Sequence, residues 1–433
     1  MSKMSGHTNR LGPTGIQTTA RTMSIRQSAK GQLLATARSI PATGGSKLPS
    51  KPLNLPRLPE LDALRGLMLV GMTLTHLPTA ASHYVNQLFG FVSWAEGFVL
   101  LSALLAGRVY GALLRQRSLG VVLKRLWLRG AKLYGYHVVL LTVAFTLVAA
   151  AAVHTQKPAL QGLLDFYLAH RALAIISSLL LLYCPPLLDI LPMYIVFLFL
   201  TPLFLGIGRR WGWKYILAPS ALLWLAAQMG ARERVHSFLV AHAGFPIPIQ
   251  HLGAFNLFAW QFLWVFGLWV GAGGATRLLD WFGSRWTIAF SLLVATMFLV
   301  LRYQLIPYFV THPVDQGNAW VLFDKWQLGV LRLLNFAVLG VLYTALRPYM
   351  ARRLVWGPLV LLGKSSLEVF CASLLFCFAA LALVGDGAGA SVFSQAAILT
   401  GSLSGLYAVA YLRARLKRQK SPAPSIVGVR STL

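Results

Sequence analysis

From Glu60 onward the chain alternates long apolar runs with short polar segments that are mostly basic. Ten runs approach the roughly 20 residues needed to cross about 30 Å of hydrocarbon: 61–80, 89–107, 133–153, 189–207, 215–230, 255–274, 287–305, 328–346, 354–383 and 391–412. Lipid offers no partner to an open backbone amide or carbonyl, so each run is predicted to be a helix. The expected fold is therefore all-α, a polytopic transmembrane bundle of about ten helices. One more apolar stretch, 172–187, is shorter and ends in Cys184-Pro185-Pro186. Counting it as a span would put the Arg209, Arg210 and Lys214 cluster on the outer face, so it is predicted to lie at the outer interface. Three regions result: a disordered basic tail over 1–59, a membrane domain over 60–413 and a second basic tail over 414–433.

Composition sharpens this picture. Of 433 residues, 57% are hydrophobic and 12% charged, where a soluble protein carries about one quarter charged residues. That excludes an ordinary soluble domain. The formal charge of +28 raises the question of nucleic acid, but the cations fall in short clusters between apolar runs, as expected of cytoplasmic loops facing anionic lipid. No nucleic-acid partner is expected. With both termini cytoplasmic, the inner segments hold most Lys and Arg, and the outer ones hold only Lys157, Arg171, Arg232, Arg234, Arg302, Lys325 and Arg332. Residues 1–59 contain no acid and too little apolar surface to fold. Cys184, Cys371 and Cys377 lack redox or metal spacing and read as small buried hydrophobes. The outer-loop histidines 154, 170, 236, 242, 251 and 312 show no ligand spacing either, and no metal is expected.

Ionisable residues inside a membrane helix are costly and mark candidate sites. The first run, LDALRGLMLVGMTLTHLP, supplies Asp62, Arg65 and His76. Eleven residues at 3.6 per turn come within about 20° of three full turns, so Arg65 and His76 share one face, about 16 Å apart along the axis. Leu69 and Met72 continue that stripe, with Arg65 expected in the cytoplasmic half. Imidazole suits removal of a hydroxyl proton near neutrality, and guanidinium suits the phosphates of an acyl donor. Equally, Asp62 and Arg65 can be a simple i,i+3 pair while His76 bonds a neighbouring helix.

Glu96, at the outer end of the second run, can orient His76 or serve a helix N-terminus. Asp189 can cap the fourth helix or meet an acceptor on the outer side. Lys364 and Glu368, four apart, can pair within the ninth run, with donor binding by Lys364 as the alternative. The basic cluster from Arg108 through Arg115 and Arg117 to Lys132 follows from topology and also offers a rim for donor phosphates. Gly267 and Gly271 form a small-residue face for close helix packing.

The stretch RLPELDALRGLMLVGMTLTHLP resembles the first helix of the integral-membrane acyltransferase-3 superfamily, whose signature is an Arg and a His with ten residues between them, here Arg65 and His76. WAEGFVLLSALLAGRVYG is similar to its second helix. AEGFVLLS, DILPMYIVFLFLTP and GKSSLEVF together resemble the OpgC-type branch, succinyltransferases of osmoregulated periplasmic glucans, over about Arg57 to Leu412. The resemblance implies a bacterial inner-membrane enzyme that uses acyl-CoA, specifically succinyl-CoA, as co-substrate and a periplasmic glycan as acceptor, with no permanently bound cofactor. His76 would be the base, Arg65 the donor-side cation, Asp62 its orienting partner and Glu96 the partner of His76. Arg108, Arg115, Arg117 and Lys364 would bind the donor, and Asp189 the acceptor. The rivals are an O-acetyltransferase for another surface polysaccharide, a transporter of an anionic solute and a non-catalytic scaffold.

Overall fold

The computed structural model describes residues 56–305 and 321–419. Within them every long element is a helix, and each of the ten apolar runs overlaps a long one: α1 Pro59–His76, α2 Trp94–Gln116, α3 Leu119–Thr155, α4 Ile190–Arg210, α5 Lys214–Gln228, α7 Leu257–Gly271, α8 Arg285–Val300, α9 Val330–Leu354, α11 Ser366–Val384 and α12 Val392–Gln419. Between them stand α6 Ala231–Ala243 and the half-helix α10 Gly357–Lys364, with several single-turn helices in the connections. Seven helices among the described residues are long and apolar enough to cross a bilayer: α2, α3, α4, α8 with its extension to Gln304, α9 as far as Tyr349, α11 and α12. Most of the proposed N-terminal tail, 1–55, and 420–433 of the C-terminal one lie outside the described residues, as does His312.

Four sequence expectations change. The 108–132 segment is not a loop: α2 and α3 run through it and meet at a turn over Arg117 and Ser118, so its cations sit on helix faces. The single run 354–383 breaks at Ser365 into α10 and α11. Residues 231–243, expected as loop, form a helix with no buried residue. Finally, α3 is continuous for 37 residues and absorbs a π-turn at Ala144–Val148. The 172–187 stretch contains only the nine-residue helix Arg171–Leu179, about 13 Å long and too short to cross, which suits an interfacial position.

Glycines decide which helices approach. A Cβ on Gly66 would fall 2.0 Å from Leu359 O, and one on Gly363 would fall 1.7 Å from Asp62 O, so α10 packs antiparallel and backbone-to-backbone on the start of α1. Gly107, Gly267 and Gly271 do the same where α2 crosses α7; a Cβ on Gly271 would stand 1.9 Å from Leu104 O. The small-residue face read from the sequence is this crossing. The N-terminus of α1 follows its own chemistry, with Pro59 in the first turn and Glu60 and Asp62 beside the free amides. Glu60 also pairs with Arg347 of α9. At the far end of α11, Lys157 Nζ donates to the free carbonyls of Ala382 and Leu383, 2.6 Å each.

Candidate active site

The α1–α2 contact sets the depth of Arg65. Gly71 meets the Trp94 ring and Gly97 meets Met68, so the helices are antiparallel and Arg65 comes level with Leu100. That is about 9 Å from the Trp94 end of α2 and about 24 Å from its basic end. Arg65 therefore sits nearer the Trp94 end of α2 than its basic end, because α1 begins well inside the length of α2. Its guanidinium stacks 5.8 Å from the Phe98 ring centre, and its Nε is buried with no hydrogen bond.

Arg65 lines a cavity of about 260 Å3 together with Arg129 and Lys132 of α3 and Lys364 of α10. Tyr194 of α4 and Phe98, Leu133, Leu198 and Phe370 complete much of its wall. Arg129 is exposed to solvent on this lining, beside Tyr110 and Tyr194. Glu368 is the carboxylate on the lining, and it is already engaged: its Oε1 accepts from Lys132 Nζ at 3.2 Å and pairs ionically with Arg413 Nε at 3.1 Å. The expected Lys364–Glu368 pair does not form, since the break at Ser365 takes the two residues out of the i,i+4 register of one helix. Lys364 faces the cavity instead.

Among the other expected donor residues, Arg108 Nη2 donates to Pro56 O at 2.9 Å and Arg115 Nη1 to Ala272 O at 3.3 Å. Neither they nor Arg117 lines the cavity. Asp62 lies in the field of Arg57, Arg65 and Lys364 but closes no hydrogen bond or ion pair with Arg65, so it does not clamp the guanidinium.

His76 stands at the other end of α1. Its Nδ1 donates to Met72 O at 2.6 Å, because a carbonyl can only accept; this leaves the lone pair on Nε2 of the neutral ring. The cavity at Arg65 does not reach it. Leu69 and Met72, both buried, fill the stripe between the two residues, so the shared interior space expected from the helical wheel is closed here.

Glu96 is not the partner of His76. Its carboxylate is fully committed: Ser93 N and Oγ donate to Oε2 at 3.0 and 2.5 Å, and Arg332 Nε of α9 donates to Oε1. Glu96 and Arg332 are almost completely buried, and the pair ties the start of α2 to α9. Nearby, Asn335 Oδ1 accepts from Phe91 N at 2.8 Å, beside Gly90 at φ +94°. Asp189 occupies the N-cap position of α4 without the capping bond and accepts instead from Ala254 N at 3.2 Å.

The cation nearest His76 in effect is Lys325, whose field reaches His76, Glu96 and Asp189. Its loop is held from two helices: Trp224 Nε1 and Gln228 Nε2 donate to the carbonyls of Leu328 and Gln327, and Trp260 Nε1 and Asn256 N to that of Trp326. Leu328 is fixed there at φ +50°. Burial pushes the Lys325 ammonium below its ordinary range.

Sequence reasoning singled out neither Arg129 nor Arg332, assigning one to a loop and the other to the outer face. Each stands among apolar neighbours, LWLRGAKL and VLRLL, and that was the available signal. It also passed over His137, fully buried in α3 near the Ser178 backbone, where neither ring nitrogen closes a hydrogen bond of good geometry.

A polytopic all-α bundle with a cation-lined interior cavity is thus the class of protein that fold and site define. Within that class, the chain belongs to the OpgC protein family, whose model matches residues 57–418. No curated protein and no solved structure matches the chain.

Proposed function

We propose that this protein is a membrane O-acyltransferase that moves a succinyl group from its coenzyme A ester to hydroxyls of a periplasmic glucan. The observation that carries the reading is the cavity where Arg65, Arg129, Lys132 and Lys364 converge while the one carboxylate on its lining is already neutralised. Such a site calls for an anion. Family membership supports acyl transfer, and the sequence resemblance supplies the glucan and the donor.

In this reading the donor enters among the basic helix ends, and its thioester arm parts Leu69 and Met72 to reach His76. The acceptor hydroxyl gives its proton to Nε2 as its oxygen bonds the thioester carbonyl carbon. The C–S bond then breaks, and the departing thiolate takes the proton from the imidazolium, leaving ester and free coenzyme A thiol. The test is mass spectrometry of periplasmic glucans from cells expressing wild type, His76→Ala or Arg65→Ala at equal protein level. Loss of acyl substituents in both variants is expected; full substitution in His76→Ala removes its role as base. Flux of labelled solute into vesicles without covalent product would favour a transporter.

A further inference from the structure

We infer that Lys325, on the loop before α9, is the cation that meets the oxyanion formed at the thioester carbonyl beside His76. The inference rests on the acyl-transfer reading and adds a group to its reacting centre. Lys325 stands among Glu96, Arg332, Asp189 and His76, each of which interacts with its charge. Neither acid answers it: Glu96 is committed to Ser93 and Arg332, and Asp189 accepts from Ala254 N. With the other described residues the Lys325 side chain closes no ion pair or hydrogen bond, and its Nζ lies 4.5 Å from the centre of the Trp326 ring. Arg332 cannot take its place, being 1% exposed and bound to Glu96, whereas Lys325 and His76 both keep some exposed surface.

The loop holds this cation ready. On one side the Phe323 ring packs on Phe91, centres 4.3 Å apart, and its carbonyl accepts from Arg332 Nη1 at 3.4 Å. On the other, Trp326 O accepts from Asn256 N and Trp260 Nε1. Asp324 closes the turn from within, its Oδ1 accepting from Gln327 N at 2.6 Å and its carbonyl from Gly329 N at 3.0 Å. A charge fixed before the reaction needs no reorganisation when its target appears. As the acceptor hydroxyl gives its proton to His76 Nε2 and its oxygen bonds the thioester carbon, the C=O electron pair moves onto the carbonyl oxygen. Before attack the reacting groups carry only the ammonium charge; the tetrahedral state holds imidazolium, oxyanion and ammonium. An anion that meets two cations gains from both, and that gain exists in this state alone. Collapse returns the pair to C=O and expels the thiolate, which takes the proton from the imidazolium. Lys325 keeps its own proton throughout.

The assay is acyl transfer from succinyl-CoA to glucan by membranes containing the full chain, with kcat and both KM values measured. Lys325→Met should lower kcat about 10²–10³-fold, the loss typical of one oxyanion donor, with both KM values unchanged. Lys325→Arg, which restores a cation, should recover part of kcat. Lys325→Gln, neutral but polar, should still lose about tenfold in kcat and covers the case in which Lys325→Met does not accumulate. His76→Ala/Lys325→Met should be little slower than His76→Ala, because residues that serve one transition state do not lose rate independently. Losses that multiply place Lys325 outside the step at His76 and overturn the inference. A raised KM at unchanged kcat assigns Lys325 to substrate binding and overturns it too. Wild-type kcat and KM in Lys325→Met overturn the inference alone, whereas absence of transfer by the wild type overturns the acyl-transfer reading and the inference with it.

Discussion

Glu96→Gln separates a structural from a catalytic carboxylate. In the native protein Arg332 is 1% exposed and Glu96 0%, so the guanidinium depends on this carboxylate to offset its desolvation. A glutamine that keeps its single oxygen for Ser93 N and Oγ turns its NH2 donor toward Arg332, leaving a buried cation without a counter-charge. Breaking a buried pair from one side costs about 3–5 kcal/mol, and removing both charges in favour of apolar packing is often neutral. At this chain length a kcal/mol moves Tm by about 2 °C, so Glu96→Gln should lose roughly 6–10 °C. Glu96→Gln/Arg332→Met should regain most of that. The measurement is thermal unfolding of the detergent-solubilised protein, with glucan acylation followed in parallel. A Glu96→Gln protein as stable as wild type, or a double variant less stable than the single one, would refute the reasoning. A stable double variant with its acylation pH profile displaced would return Glu96 to His76.

Other expectations follow from the same geometry. Gly363→Ala and Gly271→Ala each drive a methyl into a facing carbonyl, and each should cost about 1–3 kcal/mol by thermal unfolding; tolerance of both would contradict the close crossings. Asn335→Ala removes the acceptor of the buried Phe91 amide and should cost about 1–3 kcal/mol, whereas the half-exposed Lys132→Ala should cost at most about 1 kcal/mol because Arg413 still meets Glu368. Lys325 titrates below its unfolded value of 10.5, so the unfolded chain binds more protons in the window beneath that value and stability should rise there with pH. Lys325→Met should flatten that rise relative to wild type. Cys184 is buried, and burial raises its thiol far above the ordinary range, so a thiolate-specific reagent at pH 8 should label it only after denaturation.

How far the site was legible can be judged residue by residue. Arg65 and His76 were found because an ionisable group in an apolar run stands out against its neighbours, and their common face follows from helical pitch. Arg129 and Arg332 carry the same signal but sit near the ends of runs, where the charge rule for loops explains them equally well. Glu96 was found and given the wrong partner: Arg332 lies 236 residues away, and nothing local in AEGFVLLS indicates which neighbouring helix faces it. The break at Ser365 was hidden because GKSSLEVF continues an apolar run, and the close packing of Gly363 on the α1 backbone beside it joins residues about 300 positions apart in the chain.

By itself, the sequence determined which stretches of the chain become apolar helices and the axial spacing of charges on any one of them, since apolar run length against bilayer thickness and 1.5 Å per residue are properties of a single helix. Only the tertiary structure decided which charges meet. Helices that are apolar all round carry no stripe to orient them, so their rotation and depth are set by where a glycine lets two backbones touch. The Gly66 and Gly363 contacts brought Lys364 of α10 to the start of α1, and side-chain packing of α3 and α9 placed Arg129 on the same lining as Arg65 and gave Glu96 to Arg332.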